Sequence, residues 1–345
     1  MRICLSYKIT LTCLLLATTL SYSYAQDPHF SQFFEAPLLR NPALAGIFTG
    51  DYRIQGVYRD QWNSVTDGYR TGSFNGDYKM PVGKGDDFLT IGMQMLFDKA
   101  GTVGLTTTEL FPALNYHKSL SDERTMYLSL GFMGGWAQKS IDRSKITTNN
   151  QFDGNAYNPS LPDGETIATP TVQYLDGSVG MSFNTTFGQD QANSLFVGAA
   201  YHHLNRPKNS FYVNSGIELD PKYIFSAGIK FGIDEFSSFI IQADHSKQGT
   251  FSETIGGALY SYKLGPDAAS SEYSLDLGMF LRLGDALIPV LKLEMPSFSV
   301  AISYDINVSE LKTASEGAGG VELSLCYIGF LEHNSSKYKV LCPKF

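Results

Sequence analysis

Leu89-Thr90-Ile91-Gly92-Met93-Gln94-Met95-Leu96-Phe97 places apolar side chains at 89, 91, 93, 95 and 97 and polar or small ones at 90, 92 and 94. A two-residue period is that of a β-strand, whose successive side chains point to opposite faces, so this stretch has one apolar and one polar face. The same alternation returns along the chain. Met126, Leu128, Leu130 and Phe132 oppose Tyr127, Ser129 and Gly131, and Tyr223, Phe225, Ala227, Ile229 and Phe231 oppose Ser226, Gly228 and Lys230. Leu275, Leu277, Met279 and Leu281 oppose Ser274, Asp276, Gly278 and Arg282. Val300, Ile302, Tyr304 and Ile306 oppose Ala301, Ser303, Asp305 and Asn307; Val321, Leu323, Leu325 and Tyr327 oppose Glu322, Ser324 and Cys326.

A soluble sandwich would alternate in the same way, with its polar face in water. Three features favour a membrane barrel instead. The runs reach about 9–11 residues, enough for a tilted strand to cross a bilayer. Tyr and Phe recur near run ends, where interfacial girdles lie, and no long helical run competes. About fourteen runs can be counted, an even number as in bacterial barrels. The expectation is an all-β, transmembrane antiparallel outer-membrane β-barrel, closed so that no strand edge is left unpaired.

With the first run climbing from Asp51 to Gln61, tight joints at Asp234-Glu235 and Met295-Pro296-Ser297 fall on the periplasmic side. The longest joint, Lys139 to Pro170, and the next, Leu204 to Leu219, fall outside. A short outer joint at Gly284-Asp285 departs from that asymmetry, and Pro112 within a run calls for a bulge. The inward face carries Arg53, Asp77, Glu109, Lys230, Asp244, Asp276, Arg282, Lys292, Glu294, Asp305 and Glu322, a mixture that suggests a lumen crossed by ion pairs.

The first 25 residues read as a cleavable export signal: Arg2 and Lys8, an apolar run from Leu11 to Leu20, then Ser23-Tyr24-Ala25 before Gln26. Residues 26–50 are Pro-punctuated and aromatic, too irregular for a strand, and form a candidate periplasmic plug or strap. The barrel is expected over 51–331 and a periplasmic tail over 332–345. A net charge of −8 argues against nucleic-acid binding. Of four cysteines, Cys4 and Cys13 leave with the signal, so Cys326 and Cys342 remain. Cys326 shares the inward parity of Glu322, and Cys342 lies in the tail. They form either a disulfide that folds the tail into the barrel mouth or two free thiols.

Several segments carry a family likeness. They are Gln26-Asp27-Pro28-His29-Phe30-Ser31-Gln32-Phe33-Phe34, Asn41-Pro42-Ala43-Leu44-Ala45-Gly46, His203-Leu204-Asn205-Arg206-Pro207, Arg282 to Pro289, Ser303 to Leu311, Gly319 to Leu323, and Leu341 to Phe345. Together they resemble the PorP/SprF family of outer-membrane proteins, associated with type IX secretion and gliding. The resemblance implies an outer-membrane barrel whose partners are secretion-machine subunits and a secreted or surface adhesin-like cargo with a C-terminal sorting domain, besides the surrounding outer-membrane lipid. It carries no catalytic residues and no cofactor. The alternative is a porin or small-molecule uptake channel, since a barrel of this size conducts if its lumen is open. A structural outer-membrane protein without a secretion role is a third class.

Other chemistry is weakly signalled. Asp305-Ile306-Asn307-Val308-Ser309 has the oxygen spacing of a calcium loop but lacks the glycine and distal glutamate of an EF-hand. Asp153-Gly154-Asn155 and Pro162-Asp163-Gly164-Glu165 fit ordinary turns. His202 and His203, as strand neighbours, are expected on opposite faces and unable to chelate together. No Gly-x-Ser-x-Gly nucleophile motif is present, so no enzyme is expected.

Overall fold

In the computed structural model, which describes residues 27–61, 68–83, 85–167, 169–188, 192–212, 216–268, 270–309 and 318–331, the alternating runs become fourteen strands. They are β1 (Tyr52–Gln61), β2 (Tyr69–Pro81), β3 (Phe88–Ala100), β4 (Leu105–Ser119), β5 (Met126–Ser140), β6 (Thr171–Phe187) and β7 (Asn193–His202). The second half comprises β8 (Lys222–Gly232), β9 (Ser237–Gln248), β10 (Phe251–Leu264), β11 (Tyr273–Arg282), β12 (Ala286–Glu294), β13 (Phe298–Asn307) and β14 (Ala318–Gly329). Each pairs antiparallel with its sequence neighbour, and β1 pairs with β14, from Tyr52 opposite Gly329 to Gln61 opposite Gly320. Closure satisfies the edge groups that an open sheet would expose. The expected signal (1–25) and tail (332–345) lie outside the described residues.

Period-two patterning sorts the two faces. Ile91, Met95, Phe97, Leu128, Leu130, Phe132, Phe225, Leu277, Met279, Ile302 and Leu323 are exposed on the outside. Their sequence neighbours Thr90, Gln94, Ser129, Ser226, Asp276, Ser303 and Glu322 are buried inside. A polar interior within an apolar exterior is the inversion that a lipid solvent imposes. Among the described residues no helix is long and apolar enough to cross a membrane.

Pro112 corrects one expectation. Leu110 pairs with Trp136 and Ala113 with Met133, so the register is unchanged across the proline and no bulge forms. Pro112 has no N–H to donate, and the strand opposite it supplies Gly134-Gly135. A Cβ on Gly135 would sit 2.1 Å from the Leu110 carbonyl oxygen, a close approach that only glycine permits. The described bulge lies between β13 and β14, where Asp305 faces Gly320 and Ile306 faces Ala318.

The ends of the barrel differ, though less than short-turn and long-loop counting suggests. Loops 141–170 and 203–221 extend one end, which also carries the short joints 101–104, 249–250 and 283–285. The asymmetry thus rests chiefly on two loops. The opposite end bears the joints 233–236 and 295–297.

Phe132 lies near the middle of β5 and is 54% exposed on the outer face. Phe132→Arg is expected to destabilise the barrel by about 2–4 kcal/mol, the penalty for a cation at mid-bilayer, in urea unfolding from lipid vesicles. A change within 1 kcal/mol would mean this face is not against lipid.

Candidate functional site: the lumen and its N-terminal segment

Residues 27–50 run down the inside of the barrel from the long-loop end to the start of β1, and most of them are buried. Short helical turns at Phe33–Glu35, Pro37–Arg40 and Pro42–Leu44 fold the path. Pro37 and Pro42 start the second and third, where a missing N–H removes no helical bond.

At the mouth, the Asp27 carboxylate lies 2.8 Å from His203 Nε2 and 3.6 Å from Lys222 Nζ, and it accepts a bond from Gln248 Nε2 at 3.2 Å. His203 Nδ1 meets the Asp176 carboxylate on its other side. Burial alone would favour neutral groups, but the charges outweigh it. Burial lowers His203 and the flanking Asp27 and Asp176 raise it further, to a pKa of about 10. Burial raises Asp27, yet His203 and Lys222 bring it well below the usual carboxylate range.

One layer lower, Glu322 on β14 accepts both the Ser31 N–H at 2.6 Å and the Gln32 N–H at 2.7 Å. The Gln32 amide donates to Ser303 Oγ and to the Glu322 carbonyl, each at 3.0 Å. Arg59 lies 3.0 Å from Asp305 and 3.5 Å from Glu322, and it donates to the His29 carbonyl at 2.7 Å. Arg282 bridges Asp305 at 3.3 Å and Asp285 at 2.9 Å and reaches the Ser31 hydroxyl.

At mid-depth Phe33 and Phe34 pack on Phe280, within a cluster including Ile240, Leu259 and Ile288. Glu35 pairs with Lys292 at 2.8 Å and takes a bond from the Gln55 amide. Arg40 makes a two-pronged pair with Asp244, its Nε 2.7 Å from Oδ2. The same guanidinium lies 4.8 Å from the Phe33 ring centroid and 5.3 Å from that of Phe196.

Asn41-Pro42-Ala43 rests directly on the barrel wall. Asn41 Nδ2 donates to the carbonyls of Met181 (3.0 Å) and Ala199 (3.2 Å), while its Oδ1 caps Ala43 N–H at 2.8 Å. Asn115 donates to the carbonyls of Ala43 (2.8 Å) and Ala45 (2.9 Å). The approach needs glycine beneath it. A Cβ on Gly180 would fall 1.8 Å from Asn41 Oδ1, and one on Gly131 would fall 2.5 Å from the Ala43 nitrogen. At the foot, Gly46 N–H reaches Asp77 at 2.8 Å, and Asp77 pairs with Arg53. Phe48 is held between Arg53 and Lys79, at 4.7 and 4.4 Å from its ring centroid.

Two cavities flank the segment. The upper, of about 1370 Å³ at the long-loop end, is lined by Asp27, His29, Arg59, Glu109, Glu253 and Arg282 among others. The lower, of about 220 Å³, is lined by Phe34, Glu35, Phe48, Asp276, Lys292 and Cys326 among others.

The residues expected inside are inside, and Arg53, Asp77, Asp244, Arg282, Lys292, Glu294, Asp305 and Glu322 all take part in ion pairs. Asp305 is engaged by Arg59 and Arg282, which gives it a structural role in place of calcium ligation. Asp153 and Asp163 accept backbone N–H groups of their own turns. His202 and His203 correct the opposite-face expectation. β7 ends at His202, and His203 takes φ +60°, so both rings are buried with centroids 6.5 Å apart. Among the described residues no group of three or more His, Cys, Asp or Glu is arranged to hold a metal ion. Cys326 is buried on the inner face; Cys342 lies outside the described residues.

Arg40, Asn41, Asn115 and Arg59 escaped the sequence reading of the lumen. Arg59 shares the parity of Arg53, a signal that was available in the first strand.

The family model described as "Type IX secretion system membrane protein PorP/SprF" matches residues 22–327. The chain belongs to the PorP/SprF family. That membership, with the closed barrel and its apolar exterior, makes it an outer-membrane protein associated with type IX secretion. Among solved structures it is similar to the toluene transporter TodX of P. putida, at 9% identity over 87% of this chain and 95% of that one, with a TM-score of 0.49. A FadL homologue of Pseudomonas aeruginosa matches at 11% identity over 83% and 92%, with a TM-score of 0.44. The translocator domain of the autotransporter NalP from Neisseria meningitidis matches at 12% identity over 82% and 90%, with a TM-score of 0.39. At that distance nothing about transport passes to this PorP/SprF member. No match was found among curated proteins.

Two outcomes test the pinned segment. Arg40→Ala leaves Asp244 buried without its partner and is expected to cost about 3–5 kcal/mol in urea unfolding, whereas Arg40→Met with Asp244→Leu recovers most of that loss. The His203 contribution follows its raised pKa: it is complete below about pH 6.5, where even the unfolded imidazole is protonated, and fades as pH rises through about 10. Asp27, lowered, contributes above about pH 4 and loses that contribution in stronger acid. The stability gap between wild type and His203→Gln is therefore expected to be largest between about pH 4 and 6.5 and to shrink towards pH 10. A gap independent of pH would show that the latch is not ionic.

Proposed function

We propose that this barrel is a docking partner of the type IX secretion and gliding machinery, supporting secretion or surface anchoring of adhesin-like cargo with C-terminal sorting domains. The observation that carries the reading is the filled lumen of a PorP/SprF member: residues 27–50 are bonded to the wall at every depth. We read the segment as a plug, delivered after removal of an export signal ending at Ala25. A lumen so occupied favours work at the two ends over free diffusion through the middle, which speaks against the porin alternative.

The long-loop end offers the larger surface. Ile141 N–H bonds the Pro170 carbonyl at 2.9 Å and closes the base of loop 141–170. Arg143 braces it through the Ile167 carbonyl at 2.8 Å, and the Tyr212 hydroxyl donates to Glu165 at 2.8 Å, tying it to loop 203–221. Phe152, Tyr157 and Ile217 are exposed there. Aromatic and aliphatic side chains on loops held by a rigid scaffold suit protein docking.

Deleting the gene is expected to lower secretion or surface display of at least one cargo with a sorting domain. Unchanged display of every such cargo would remove the proposal. In planar bilayers the wild-type protein is expected to stay at baseline conductance, with steps appearing when Arg40→Ala and Asn41→Ala are combined. Steady, ion-selective conductance by the wild type would return the porin reading to first place.

A further inference from the structure

Asp276, on β11, is a buried carboxylate whose facing cation is spent elsewhere. It is 1% exposed, and its Oδ1 accepts no hydrogen bond from any described protein atom. Lys292 stands directly opposite on β12, but its ammonium lies 2.8 Å from Glu35 and 3.1 Å from Glu294. Asp276 lines the lower cavity, and so does Gln55, whose Oε1 likewise has no donor. Buried acceptors left over on one lining call for donors. Charge points the same way. The lining bears Arg53, Lys230 and Lys292 against Glu35, Asp276 and Glu294. Arg53 is already matched at 2.6 Å by Asp77, which is not on the lining, so one carboxylate is in excess. Beside Asp276 the same inner face turns apolar. Its register partner on β10 is Ser261, and Leu259 follows two residues along, opposite Ile240 on β9. Leu259 and Ile240 are buried and line the cavity together with Phe34. Diagonal neighbours across strands stand about 7–8 Å apart, which an amine with a short alkyl chain spans.

We propose that the lower cavity binds a small primary ammonium compound, with its N–H donors on Asp276 Oδ1 and its hydrocarbon part against Leu259, Ile240 and Phe34. The volume of about 220 Å³ lies below the roughly 300–1,000 Å³ of drug-sized sites, so the compound is small. An ammonium supplies the missing positive charge and the missing donors in one group, and such charge-assisted bonds are the strong ones. A metal ion fits less well. Among the described residues no group of three or more His, Cys, Asp or Glu is arranged to hold one, and Leu259 and Ile240 offer it no ligand atoms. The cavity reaches Met295-Pro296-Ser297, the joint at the end opposite the long loops. The site is therefore separate from the docking surface, and it stands whether or not the docking role does.

The test is calorimetric titration of n-butylammonium chloride into the full mature barrel in detergent, at constant ionic strength set with sodium chloride. Saturable binding of one compound per barrel is expected, whereas 1-butanol, of similar size and uncharged, gives none. Asp276→Asn keeps the shape and removes the charge, and it is expected to weaken binding about tenfold or more. Ser261→Lys sets a built-in amine directly opposite Asp276 and is expected to abolish binding. No saturable binding by the wild type, or equal binding of 1-butanol, would overturn the site. Undiminished binding by Asp276→Asn or by a folded Ser261→Lys barrel would do the same. Equal binding of potassium ions would mark a metal-cation site and overturn the ammonium assignment.

Discussion

A closed barrel cannot turn its inward charges out to water, and that constraint governs everything inside this one. Asp244, Asp305 and Glu322 are all buried on the inner face. An ionised group so placed persists only with a partner, because removing one member of a buried pair typically costs about 3–5 kcal/mol. The wall supplies some partners itself, as Arg53 does for Asp77 and Arg282 for Asp305. Others come from the N-terminal segment: Arg40 for Asp244 and Glu35 for Lys292, with the Ser31 and Gln32 N–H groups completing Glu322. The wall and the segment are therefore two halves of one electrostatic structure, and neither is satisfied alone.

Steric fit then decides where the segment lies. Asn41-Pro42-Ala43 sits on β5, β6 and β7 because Gly131 and Gly180 leave the wall bare of side chains there. Carbonyls of Met181 and Ala199 are consequently within reach of one asparagine amide. Opposite this patch the wall is bulky, and Phe280 and Ile288 receive Phe33 instead. A smooth patch on one side and an apolar cushion on the other seat the segment, with cavities above and below it.

The barrel was legible because its determinants are local. Period two in Leu89–Phe97 needs no knowledge of any other strand, and adding similar runs predicts closure. The interior was far less legible, since its bonds join residues remote in sequence: Ser31 to Glu322 spans 291 positions and Arg40 to Asp244 spans 204. Periodicity says which way Asp244 points and nothing about which cation meets it. Local rules also failed at two points. Strand alternation puts His203 on the face opposite His202, but a positive φ one residue past the strand end reverses it. A proline within a strand calls for an extra residue, yet at Pro112 the register runs on unchanged opposite Gly134-Gly135.

The course of the segment gives the two ends different character. Starting at the mouth, it binds Asp27 between His203 and Lys222, which join β7 and β8 to the longer loops. At the foot, the Asp51 N–H bonds the Gly329 carbonyl at 2.9 Å and its carboxylate accepts the Leu331 N–H at 2.6 Å, so the segment ends on the seam where β1 meets β14. The foot is thus covalently and register-bound to barrel closure, and loosening it would disturb the strand pairing itself. The mouth is held outside any strand ladder: His203, Lys222 and Gln248 engage the Asp27 carboxylate, and the Asp27 N–H donates to the Gln248 side-chain oxygen at 3.1 Å. The bonds at the long-loop end therefore belong to no strand ladder, whereas those at the other end continue the β1–β14 pairing.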